Sequence, residues 1–143
     1  MKRAVTEKDG VVIIDVGQHL NSSDALRLYQ CAGTIRDYDR YILINLLKVE
    51  DINDYGINTL ETIRTDFQHS GRLTKLVIKD EKIKDKILSK YADYDMVESL
   101  EAGISAFPGR KRHKIATALK KVLDAINSRF RSLEERRKKS ANE

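Results

Sequence analysis

The sequence predicts an α/β domain built on a largely parallel sheet with helices against it, followed by a long amphipathic helix. Three observations carry this. Val11-Val12-Ile13-Ile14 and Tyr41-Ile42-Leu43-Ile44 are unbroken apolar runs, as expected of strands covered on both faces. Segments of helical period separate the strand candidates, and strands joined by helical crossovers run parallel. Ile115, Leu119, Val122, Ile126, Phe130 and Leu133 then recur at spacings of three and four, which makes a narrow apolar stripe along one helix.

The elements follow in order. Residues 4–6 and 11–16 are extended-type segments joined by Lys8-Asp9-Gly10, and an Asp-Gly pair between β-type segments marks a hairpin. Asn21-Ser22-Ser23-Asp24 offers caps for a helix running to about Tyr38, with Ala25, Leu28, Ala32 and Ile35 on its inner face. The strand at 41–44 leads through a loop at 47–55 into a second helix, whose inner face holds Ile57, Leu60, Ile63 and Phe67. Gly71 stands in the place of its C-terminal cap. A strand at 73–78, a charged helix at 82–91, a short strand or lead-in at Met96-Val97 and a helix at 99–107 complete the body.

Phe107-Pro108-Gly109 holds the only proline and precedes the basic run Arg110-Lys111-Arg112. The expected division is therefore a domain at 1–107 and a basic helical extension at 108–143, with a frayed end from residue 136. Charge divides at the same point. Residues 108–143 carry twelve Lys/Arg and four acids, +8, while residues 1–107 carry fifteen bases and eighteen acids, −3. Any electrostatic attraction to nucleic acid belongs to the tail alone. The tail's single aromatic, Phe130, lies on the apolar stripe, so stacking on bases has no support there. The stripe itself is expected to pack on the domain or on a second copy, giving a possible homodimer through residues 115–133.

Composition sets further bounds. No apolar run reaches the roughly 20 residues needed to span a bilayer, and residues 1–9 lack the pattern of a signal peptide. One cysteine, Cys31, allows no internal disulfide, so a reducing, cytoplasmic setting is expected. His19, His69 and His113 are scattered, without the spacing of a metal site. Cys31 lies among core-type helix positions and is expected to pack rather than react. No glycine loop for phosphate is present, so no cofactor, no metal and no catalytic residue is expected.

Five short motifs in register give the body a family resemblance. Val16-Gly17-Gln18-His19-Leu20-Asn21, Tyr41-Ile42-Leu43-Ile44-Asn45-Leu46, Ile52-Asn53-Asp54-Tyr55-Gly56-Ile57, Ser70-Gly71-Arg72-Leu73 and Met96-Val97-Glu98-Ser99-Leu100-Glu101-Ala102 resemble successive features of the STAS domain, the fold of anti-sigma factor antagonists. The resemblance covers residues 11–107. It implies a mixed, mostly parallel sheet with one antiparallel edge and helices mainly on one face, and a non-catalytic regulatory role. It also implies an anti-sigma factor or switch kinase as the protein partner.

The departures are as informative. The family's signature is Asp-Ser-Ser-Gly and its first serine accepts phosphate; Asp54 stands at that position, Tyr55 at the second serine, and Asn53 and Asn45 replace aspartates. The usual serine switch is therefore absent. Asp54 has two compatible readings, as the cap of the following helix and as a fixed imitation of the phosphorylated state, −1 against about −1.5 to −2 for phosphate. Tyr55 is expected at a loop tip as a binding anchor, and Gly56 to permit close backbone approach or an unusual φ. The expected contact surface comprises Asn53, Asp54, Tyr55, Gly56 and Ile57 with Asn21 and Ser22.

Overall fold

A computed structural model of the chain describes residues 5–37, 41–107 and 117–141, and in the last helix the side chains of residues 121–133. Strands β1 (Val5–Lys8) and β2 (Val11–Asp15) form the expected hairpin. Asp9 and Gly10 both take positive φ, 53° and 82°, the signature of a two-residue turn whose twist matches its strands. There follow β3 (His19–Leu20), α1 (Ser22–Arg36), β4 (Tyr41–Asn45), β5 (Asp51–Ile52) and α2 (Asp54–His69). Then come β6 (Thr74–Val77), α3 (Glu81–Lys90), β7 (Met96–Val97), α4 (Leu100–Ala106) and α5 (Thr117–Ala141).

The main sheet runs β1-β2-β4-β6-β7, antiparallel only at the β1 edge. Burial explains the apolar runs. Val12, Ile14, Ile42 and Ile44 face the larger core under α1, α2 and α3, with Leu28, Ile35, Leu60, Ile63 and Phe67. Val11, Ile13, Leu43 and Val77 face a smaller core closed by Ile104 of α4 and by Phe107. Helices α1, α2 and α3, joined by α5, thus lie on one face and the seven-residue α4 on the other, with helices mainly on one face as expected.

Two expectations change. The loop expected at 47–55 contains β5, and the lead-in to α1 contains β3; the two pair in parallel as a separate two-stranded sheet, His19 opposite Asp51 and Leu20 opposite Ile52. The last helix also continues to Ala141, where fraying was expected.

The described part of α5 packs on the body, and the face it uses is rotated from the expected stripe. Leu123 and Asn127 are buried, and Ile126 and Phe130 pack against the larger core, whereas Val122 is only half-buried. Asn127 makes two bonds to one residue of β1: its Oδ1 accepts from the Val5 N–H and its Nδ2 donates to the Val5 carbonyl, both at 2.8 Å. Pro108, Gly109, Ile115 and the run Arg110-Lys111-Arg112 lie outside the described residues.

Candidate functional site

The small β3–β5 sheet decides the geometry of the site. Each strand is followed at once by a helix cap: Leu20 by Asn21 and Ile52 by Asn53. Pairing Leu20 with Ile52 therefore sets the entrances of α1 and α2 side by side. Asn21 Oδ1 accepts from the Asp24 N–H at 3.3 Å, and Asn53 Oδ1 accepts from the Gly56 N–H at 2.8 Å. Both asparagines hold extended backbone, the conformation that lets a cap side chain turn back to the first helical turn.

The cap of α2 is therefore Asn53, not Asp54. Asp54 is the first helical residue, and its side chain points to solvent, 81% exposed. There it complements the positive end of the helix and lies 3.3 Å from the Lys90 ammonium. Tyr55 is 53% exposed, but in the first turn of α2 rather than at the expected loop tip. Asn21, Ser22 and Ser23 are exposed beside them. The surface also includes Asp51, 3.7 Å from His19 Nδ1.

Gly56 and Ile57 correct the expected contact set. Both are buried, Ile57 at 3%, because they lie on the face of α2 that meets β3 and β5. Neither can touch a partner at this surface. A Cβ on Gly56 would sit 2.3 Å from the Leu20 carbonyl oxygen and 3.2 Å from Ile52 Cγ1. Close approach is thus the reason for glycine, and its φ is not in the left-handed region.

Asn45, at the end of β4, has a local explanation. It lies in register with Asp15, donates to its carboxylate from Nδ2 at 2.7 Å and accepts from the Leu47 N–H at 3.1 Å. An aspartate at 45 would face a second carboxylate at that distance, so the amide suits the neighbour. Like charges that close do not both ionise readily.

Two features of α2 and its surroundings escaped the sequence reading. Arg64 is buried, with its guanidinium 2.5 Å from Glu61, 3.2 Å from Asp93 and 4.4 Å from the centre of the Tyr94 ring. Burial alone would lower its pKa; the hydrogen bonds and charges of Glu61 and Asp93 outweigh that and raise it. The Tyr94 hydroxyl donates to the Leu60 carbonyl at 2.8 Å. Together they clamp the segment before β7 onto α2. The second is Lys90, whose approach to Asp54 from α3 no local motif signals.

Cys31 is buried, 3% exposed, on the inner face of α1, and burial pushes its thiol pKa up from 9.0 to about 12. It is expected to resist thiol-modifying reagents in the native protein and to react on unfolding, which timed labelling with and without denaturant checks. The pH dependence has a definite sign. Below about 9 the thiol is neutral in both states; as pH rises from 9.0 toward about 12 the unfolded chain ionises first. Stability should therefore fall over that window, and Cys31→Ala should flatten part of the fall in denaturant titrations.

Among the described residues no cluster of His, Cys, Asp or Glu is arranged to hold a metal ion. Among them, too, no helix is long and apolar enough to cross a membrane.

No family model matches the sequence, and no curated protein matches it. Solved structures do. The Thermotoga maritima protein TM1081 superposes with a TM-score of 0.64 at 19% identity, over 74% of this chain and 88% of that one. An anti-sigma factor antagonist from Mycobacterium paratuberculosis gives 0.60 at 16% identity, over 73% and 92%. The anti-sigma factor antagonist SpoIIAA in its unphosphorylated form gives 0.58 at 10% identity, over 71% and 93%. The body of this chain therefore has the STAS-type fold of the anti-sigma factor antagonists.

Proposed function

We propose that the protein is a regulatory binding module without chemistry of its own. It docks a protein of anti-sigma factor or switch-kinase type on the joined entrances of α1 and α2. One observation carries the reading: β3–β5 pairing sets the entrances of α1 and α2 side by side, where Asn21, Ser22, Asp54 and Tyr55 are exposed, Tyr55 at 53%. An exposed aromatic on a rigid scaffold fits a binding anchor. The fold shared with anti-sigma factor antagonists supports a partner of that class.

Asp54 in this reading is a permanent negative charge at the position of the family's phospho-acceptor serine, set on α2 beside its Asn53 cap. Because the carboxylate is exposed, its ion pair with Lys90 is a surface one and its helix-end role is modest, removing it should change stability by no more than about 1 kcal/mol. Asp54→Ser and Asp54→Ala are therefore expected to stay folded and to shift affinity for the partner. The test is purification of the partner with the parent chain from its native cell, its identification, and titration calorimetry with each variant. Equal affinities for parent and both variants would contradict a role for this charge.

Assembly through residues 115–133 is the weaker reading. The face of α5 that carries Leu123, Ile126, Asn127 and Phe130 is turned onto its own domain.

A further inference from the structure

The β1 edge and the helix laid along it lead beyond the docking surface. In a hairpin closed by a two-residue turn, the residues flanking the turn form a hydrogen-bonded pair, and outward-facing positions alternate from there. Lys8 opposes Val11 next to the turn, so Val5 and Glu7 are the β1 residues whose N–H and C=O groups point away from β2. Such a row is a template for another strand. At the far side of the sheet the risk is small, because β7 is two residues long.

Asn127 meets the Val5 groups as a strand would. A primary amide has one acceptor and one donor held in a plane, the same complement as a peptide unit. Here both bond the same residue, Oδ1 to the N–H and Nδ2 to the carbonyl, at 2.8 Å each. Asn127 is 7% exposed, and Leu123 one turn earlier is buried in the larger core. A polar side chain buried on an otherwise apolar helix face is costly unless it is fully bonded. Its presence opposite this one outward pair is the observation that needs an account.

We infer that α5 is a built-in cover for the β1 edge, with Asn127 standing in for a neighbouring strand, and that the uncovered edge pairs with β1 of a second copy. The second copy follows from register. Val5 and Glu7 both face outward, so two β1 strands can pair antiparallel about a two-fold axis at Thr6. Each Val5 then exchanges bonds with the other copy's Glu7, and all four outward dyads are used. While α5 is in place, Val5 is occupied and Asn127 blocks that register. Deletion of the α5 contact thus favours dimers, the opposite of what an oligomerisation helix would give.

The test uses the full chain. In the parent, the Val5 amide is expected to exchange with solvent about five- to tenfold more slowly than the Glu7 amide, after correction for intrinsic rates, as one added buried hydrogen bond implies. Sedimentation should show a monomer. Asn127→Ala, and Asn127→Asp, which keeps the volume but turns an oxygen toward the Val5 carbonyl, should sediment increasingly as dimers as concentration rises. Adding Glu7→Pro, which removes an outward N–H needed by the second copy but not by β2, should restore the monomer. Val5 and Glu7 amides that exchange alike in the parent would overturn the inference whatever the variants do. So would folded Asn127 variants that stay monomeric at every concentration, or dimers that survive Glu7→Pro.

Discussion

Gly56→Ala is expected to destabilise the protein by about 2 kcal/mol net, although alanine is the better helix former. Propensity alone would favour the substitution by about 1 kcal/mol. Against that stands a Cβ 2.3 Å from the Leu20 carbonyl oxygen, a backbone atom fixed in the β3–β5 sheet. Overpacking of this kind costs typically about 1–3 kcal/mol, occasionally more, and here no flexible side chain can move aside. Relief requires α2 to shift from β3, which strains the joined helix entrances as well. At roughly 2–8 °C per kcal/mol for domains of this size range, thermal unfolding should show a clear drop. Gly33→Ala is the control. Gly33 lies inside α1, and a Cβ there meets nothing within 4 Å, so the same substitution should stabilise by up to about 1 kcal/mol. Opposite signs for one chemical change, read from two melting curves, are the expected outcome.

Arg64→Ala is expected to cost about 3 kcal/mol, because removing one member of a buried pair strands the other. Glu61 would lose its 2.5 Å partner, Asp93 its anchor on α2, and the Tyr94 ring its guanidinium. The side chain of Asp93 is 86% exposed, so that bond contributes little by itself; the buried contacts with Glu61 and Tyr94 dominate. The distinguishing variant is Arg64→Met with Glu61→Leu. Replacing a buried pair by apolar groups of similar volume is often neutral, so the double variant should recover most of the loss in denaturant titrations. A double variant as unstable as Arg64→Ala would show that the clamp acts through Asp93 instead.

How much of this was legible in the sequence depends on where the determining interaction lies. The strands at Val11–Asp15 and Tyr41–Asn45 announce themselves because burial on both faces leaves no polar alternation. The hairpin was equally plain, since Asp9-Gly10 meets a local need for positive φ. β3 and β5 were not legible: two residues have no period, and their pairing is set by how two distant segments cross. Without that pairing, Asn21 and Asn53 are two separate caps rather than one surface. The choice of Asp54 over Asn53 as cap failed by one residue, within the usual uncertainty of a helix start.

Arg64 and Asn127 were missed for a shared reason. Each sits on an apolar face, Arg64 four residues after Leu60 and Asn127 four after Leu123, and the stripes were traced through apolar residues only. On α5 this displaced the stripe toward Val122, although Leu123 is the residue the core receives. A polar residue at a core-face position is itself a signal, because burial there demands a specific partner. The charge of Asp54 and the aromatic ring of Tyr55 in the proposed docking surface were legible as residue types. The burial of Ile57 was legible too, from its place on the inner face of α2, and conflicts with its place in the expected contact set; that Gly56 packs on Leu20 was not, since the turn of α2 relative to β3 is a tertiary fact.

The central claim is that the joined helix entrances are the surface a protein partner occupies, and affinity at Tyr55 tests it most directly. With the partner identified by purification on the parent chain, its dissociation constant should be measured for the parent, for Tyr55→Ala, and for Ser105→Ala, exposed on α4 across the sheet, as a remote control. The expected result is a loss of at least about tenfold for Tyr55→Ala, the effect of truncating an aromatic anchor, with an unchanged melting temperature and no change for Ser105→Ala. A folded Tyr55→Ala that binds as tightly as the parent would place the partner elsewhere and contradict the account.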